Sequence, residues 1–160
     1  MVNLNLLVRQ FFLENEYNKL AEKIVLLRSD GIHIYSNVES QFETSSIGAL
    51  VSGLWHAAQS LSAMTNTKTS EDEFRLSFDT SLDGLHVLPL KIMGEIYFLC
   101  AIFSSEQNPG KLKRLIRLLR DNLEVYLSGY SKDQSANRTE YLFKEISDDE
   151  IEKLFSFGGV

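Results

Sequence analysis

Three histidines (His33, His56, His86), one cysteine (Cys100) and a scatter of serines are the residues that could carry nucleophilic, acid–base or metal chemistry. Their spacing assembles no reactive set. No two histidines stand at a metal-ligand interval, and no second cysteine helps to complete a zinc site. Position 50, where a Gly-x-Ser-x-Gly elbow around Ser52 needs its first glycine, is Leu50. A Gly-x-x-x-x-Gly-Lys-Ser/Thr phosphate loop is missing too, which argues against nucleotide binding by that route. Glu71, Asp72 and Glu73 cluster in an expected loop and read as a solvated charge run. Cys100 lies inside the apolar run Ile96–Phe103 and reads as a small buried hydrophobe. The expectation is a non-enzyme with no cofactor and no metal.

Recognition chemistry remains. Lys111, Lys113, Arg114, Arg117 and Arg120 concentrate on the last predicted helix of the domain. The patch Lys113, Arg114, Arg117, Arg120 suits an acidic partner or the chain's own acidic tail, against the bland alternative of a solvated helix face. Nucleic acid is a poor fit, because the chain carries a formal charge of −6 and no aromatics interleave with the basic residues. The lone cysteine suggests a reducing compartment. No run reaches the roughly 18 apolar residues that span a bilayer. The protein is expected to be cytoplasmic, without membrane insertion.

Hydrophobic periodicity supplies the elements that position these groups. Leu4, Leu7, Val8, Phe11 and Phe12 keep helical spacing over residues 3–18. Ala21 to Arg28 reads as a strand, Asp30-Gly31 as a hairpin turn, and Ile32 to Ser36 as its return strand. Residues 45–64 form the clearest helix, capped by Ser45 or Ser46, with Ile47, Leu50, Val51, Leu54, Ala58 and Leu61 on its apolar face. The opposite face is small: Ala49, Ser52, His56, Ser60 and Ala63, flanked by Gly48 and Gly53. Such a face permits close approach by another element, here the same helix of a second subunit, so these five are the expected dimer interface. Trp55 flanks the apolar face, with core burial as the default and a partner surface as the sharper reading. His56 could act as a pH-sensitive interface group.

Strands follow at 73–79, 84–92 and 95–103, the last two joined by Met93-Gly94. The third is almost wholly apolar and is expected at the sheet centre. Asn108-Pro109 opens a helix to about 127, with Gly129 as terminator. Domain organisation reads as 1–130 for the domain, 131–139 for a linker and 140–160 for an acidic amphipathic tail.

The order α-β-β-α-β-β-β-α resembles the Roadblock (dynein light chain) family, a relative of longin and profilin-like folds, over about residues 3–127. The hairpin Ile24 to Gly31, the helix Ser46 to Ala58 and the strand triplet carry the likeness. The resemblance implies an α+β domain with a five-stranded antiparallel sheet. It implies pairing with itself or with another Roadblock protein through the long helix and the next strand. The implied role is a non-catalytic adaptor or scaffold for a Ras-like small GTPase or its regulator, as in bacterial Mgl-type cell-polarity modules. Activation of a partner GTPase and a small-molecule sensor domain are the alternatives. Ile146 to Phe155 separately resembles the segment of flagellar motor-switch proteins that binds a receiver domain. Asp149, Glu150, Ile151, Leu154 and Phe155 would then form a partner-binding tail.

Overall fold

A computed structural model describes residues 3–65, 75–80, 82–104 and 108–144, the last of these by backbone alone beyond Tyr130. The elements are helix α1 (Leu4–Glu14), a 3-10 turn (Tyr17–Lys19), β1 (Lys23–Arg28), β2 (His33–Ser36), α2 (Gln41–Met64), β3 (Leu76–Asp79), β4 (Asp83–Ile92), β5 (Glu95–Ser104) and α3 (Pro109–Lys144). The strands form one antiparallel sheet in the order β2-β1-β5-β4-β3. As expected from its apolar run, β5 lies at the centre. Cys100, in its middle, is fully buried, and burial pushes its thiol up to about 12.

Turn chemistry sets the register. Met93 and Gly94 both have positive φ, 52° and 86°, and join β4 to β5 with Ile92 facing Glu95. Two left-handed residues in a two-residue loop match the right-handed twist of the strands. In the first hairpin Gly31 has φ 86°, and the Asp30 carboxylate accepts from the Ile32 amide at 3.1 Å.

The sheet has two unequal cores. On one face Leu7, Val8, Phe11 and Phe12 of α1 and Leu112, Ile116, Leu119, Leu123 and Leu127 of α3 pack with Ile24, Leu26, Leu88, Leu90 and Leu99. Phe12 stacks on Tyr35 at 3.8 Å between ring centroids, and Phe11 meets Tyr126. On the other face, among the described residues, α2 contributes Ile47, Val51 and Trp55 against Val25, Leu27, Val87, Phe98 and Cys100. Trp55 is thus a core residue.

Several boundaries differ from the sequence reading, among them the end of α1, which stops at Glu14 and not at 18. Helix α2 begins at Gln41, capped by Ser40, whose hydroxyl accepts from the Glu43 amide. Ser46 sits inside the helix and donates back to the Phe42 carbonyl, a bond that hides its capping potential. Helix α3 continues across residues 131–139, the expected linker. Gly129 does not stop it, since its φ lies outside the left-handed region that a glycine terminator adopts. The chain divides into two compact units, Met1–Leu127 and Ser128–Val160.

Gly48 of α2 touches the first hairpin by backbone alone. A Cβ on Gly48 would stand 2.1 Å from the Gly31 carbonyl oxygen. Gly53, one turn on, has no atom within 4 Å of such a Cβ. Gly48→Ala is therefore expected to destabilise the protein by about 1–3 kcal/mol, and Gly53→Ala to stabilise it by up to about 1 kcal/mol. Urea denaturation of both variants checks the opposite signs.

Candidate functional site: the two flanks of the long helix

Small residues seat α2 on the sheet. Next to the Gly31–Gly48 approach, the Ser52 hydroxyl donates to the Ser29 carbonyl at 2.8 Å. Nearer the start of the helix Thr44 and Ser36 share a hydroxyl bond of 3.1 Å, and Lys23 pairs with Glu43. These contacts fix the rotation of the helix over β1 and β2. Thr44, Ile47, Gly48, Val51, Ser52 and Trp55 face inward.

Rotation in this sense turns one flank outward. Leu50, Leu54 and Leu61, which spacing places on the helix's apolar face, are 73%, 43% and 65% exposed. They keep helical spacing with one another, so they form a continuous apolar stripe. The sheet beyond α2 is also partly uncovered. Leu76, Leu85 and Ile102 are only half-buried, and Phe78 of the edge strand β3 is 59% exposed. The register pairs Leu76 with Val87 and Phe78 with Leu85, which puts these side chains on the sheet face that α2 occupies. Strand β3 ends the sheet, and among the described residues no strand lies beside its outer amides and carbonyls.

The predicted interface residues fall elsewhere. Ser52 is buried inside the domain by its bond to Ser29 and is not available to a partner. Ala49, His56, Ser60 and Ala63 are exposed on the flank away from Leu50 and Leu54. Small size at 48 and 52 serves the intramolecular contact with the first hairpin. The glycine pair Gly31 and Gly48 was the sequence signal for that contact.

Behind that flank α2 leaves a cleft of about 500 Å³ lined by Arg28, Ser29, Trp55, His56, Gln59, Glu95, Ile96 and Phe98. Trp55 and Phe98 close its floor, with ring centroids 4.5 Å apart. Of its polar residues the sequence singled out His56, as an interface group, and no motif pointed to the others.

The basic patch lies on α3. Lys113 reaches Asp79 of β3 at 3.1 Å, Arg120 is held by Asp121, and Arg114 and Arg117 are exposed. Beneath it His86 is 3% exposed, with Nδ1 2.5 Å from the Ser77 hydroxyl and no hydrogen-bond partner for Nε2 among the described residues. Burial holds the His86 imidazole below its ordinary value, and the nearby Lys113, Arg117 and Arg75 add to this, against Asp79. The proposed tail residues Asp149, Glu150, Ile151, Leu154 and Phe155 lie outside the described residues. Among the described residues no group of three or more His, Cys, Asp or Glu could hold a metal ion. No described helix is long and apolar enough to cross a membrane.

One five-stranded antiparallel sheet, with a long helix on one face and two helices on the other among the described residues, gives this chain the α+β fold of Roadblock-type domains. Its likeness is to MglB-type structures as well as to a Roadblock/LC7 domain. "MglB with tetrameric arrangement" superposes with a TM-score of 0.59 at 16% identity, over 81% of this chain and 93% of that one. The gliding protein MglB from Thermus thermophilus gives 0.59 at 16%, over 81% and 94%. The Roadblock/LC7 domain from Streptomyces avermitilis gives 0.57 at 19%, over 66% and 84%. No protein-family model and no curated protein sequence matches the chain.

The buried histidine has a consequence for pH. Its folded-state pKa lies below the unfolded value near 6.5, so the unfolded chain binds the extra proton first. Stability contributed by neutral His86 is full above about pH 6.5 and falls as the pH drops through and below that value. Thermal unfolding from pH 7.5 to 5 should show this decline in the parent, and His86→Gln should flatten it.

Proposed function

We propose that this protein is a non-catalytic homodimeric adaptor of a bacterial cell-polarity or gliding system, and that its partner is a Ras-like small GTPase or that GTPase's regulator. The observation that carries the pairing is the exposed stripe Leu50, Leu54, Leu61 beside the half-covered sheet residues Leu76, Phe78, Leu85 and Ile102. Each half of this surface complements the other. The stripe of one subunit's α2 can cover the sheet that the other subunit's α2 leaves bare, and a two-fold axis repeats the contact. The open edge of β3 offers backbone hydrogen bonds along the same border.

A protein of this kind needs no reactive group of its own. It works by presenting a composite surface, with the paired α2 helices at its centre. The likeness to MglB structures, one of them described as tetrameric and another as a gliding protein, supports self-association and the partner class.

Charge placed in the stripe tests the reading. Leu54→Glu with Leu50→Glu is expected to shift the protein from dimer to monomer in sedimentation velocity while its circular dichroism is unchanged. A parent that sediments as a monomer at tens of micromolar would reject the pairing. For the partner, the parent should retain a Ras-like GTPase or its regulator from a cell extract. The same complex followed for nucleotide turnover separates bridging, where the rate is unchanged, from GTPase activation.

A further inference from the structure

Buried His86 and the cations around it lie on the sheet face opposite α2. We propose that Arg75, Arg117 and His86 form a binding site for a phosphate group, at the place where β3, β4 and α3 meet.

Register brings these residues together. His86 is paired with Ala101, which belongs to the core under α1 and α3, so the imidazole stands on that face of the sheet. Ser77 is paired with His86 and shares the face. Arg75 lies two residues before Ser77, and alternation puts it on the same side. Two contacts set the course of α3 above them. Lys113 reaches Asp79, which is paired with Gly84, and further along the helix Glu124 accepts from the Lys91 amide at 2.9 Å. The helix therefore runs in the direction of β4, and Arg117, one turn past Lys113, comes level with His86.

The place has cations to spare and a nitrogen without a partner. Lys113 is paired with Asp79 at 3.1 Å, whereas among the described residues neither Arg75 nor Arg117 has a carboxylate partner. At His86 the influence of Lys113, Arg117 and Arg75 each exceeds that of Asp79, so the surroundings favour an anion. The Ser77 hydroxyl meets Nδ1 at 2.5 Å. Nε2, the ring nitrogen farther from the backbone, points off the sheet toward α3 and has no hydrogen-bond partner among the described residues. A polar atom left over in a ring that is 3% exposed marks a place for an ion or a water. With Ser77 donating to Nδ1, Nε2 carries the proton and is a donor. Two unpaired guanidiniums match the double charge of a phosphate, where a carboxylate would leave one of them unsatisfied. Arg75 and Arg117 are exposed and their side chains have ample rotamer freedom, so they can part to admit the ion as far as Nε2.

The site does not rest on the pairing reading. Imidazole nitrogen shifts of the full chain, read by NMR, report on His86, with His33 and His56 as internal references. At pH 7.5 inorganic phosphate is titrated in, against sodium chloride at matched ionic strength. A saturable shift of the His86 Nε2 signal with phosphate alone is expected, and the bound anion should move the midpoint of the His86 titration upward. Arg117→Gln and Arg75→Gln should each weaken phosphate roughly ten-fold. Arg114→Gln removes the same charge between buried Leu112 and Ile116, on the outward side of α3, and should leave binding unchanged. Acetyl-phosphoserine amide separates the sources. Tighter binding of this probe supports a phosphorylated side chain of a partner protein, and equal or tighter binding of inorganic phosphate supports the free ion. No saturable response, an equal response to chloride, or a response indifferent to both Arg117→Gln and Arg75→Gln overturns the site. Equal weakening by Arg114→Gln would reduce the binding to a diffuse effect of charge and overturn it as well.

Discussion

The contact between Gly31 and Gly48 is the constraint on which the arrangement of α2 depends. A helix packs on a sheet through side chains, which keep the backbones well apart. Here the helix backbone comes down onto a hairpin turn, and no side chain fits between them. Gly31 meets this with a left-handed φ of 86°, which a residue with a Cβ adopts only under strain. Ser52 then locks the rotation with its bond to Ser29. Height and rotation of α2 follow, and with them the burial of Trp55, the exposure of Leu50 and Leu54, and the cleft by His56.

The two faces of the sheet consequently play different parts. The face under α1 and α3 holds the larger core and aromatic contacts from Phe11 and Phe12 of α1 to Tyr17, Tyr35 and Tyr126. Among the described residues the face under α2 has one helix over five strands, and that helix sits toward β1 and β2. Half-buried Leu76, Leu85 and Ile102 mark where the cover ends. Exposed apolar area of this kind, next to an open strand edge, is a liability to a lone domain and a resource to one that associates.

Much of the architecture was legible in the residues. The period-2 pattern of β3, the apolar run of β5, the Asp30-Gly31 and Met93-Gly94 turns and the Asn108-Pro109 start of α3 each reflect a local rule that the structure obeys. The facing of α2 was not legible in the same way. Leu50, Leu54 and Leu61 keep helical spacing with Ile47 and Val51, and by spacing alone they belong to the core. Small size alone puts Ser52 at an interface. Periodicity identifies an apolar stripe, but it does not say whether that stripe meets the chain's own sheet or a second molecule. Ser45 and Ser46 stand closer to the apolar run than Ser40, so proximity favours the wrong cap. Gly129 has the right residue type for a terminator, but residue type does not reveal φ.

The sequence by itself determined the number, order and type of the elements, since those rest on local spacing and turn chemistry that the chain carries wherever it goes. It also set the groups at hand: acceptors, cations and small residues, with no reactive set among them. Only the tertiary structure decided which flank of α2 is inside, which sheet residues stay half-covered, and that Glu95, His56 and Arg28 line one cleft. Those residues come from β5, α2 and β1, far apart in the chain. Nothing local links them. They meet because two glycines let a helix backbone rest on a turn.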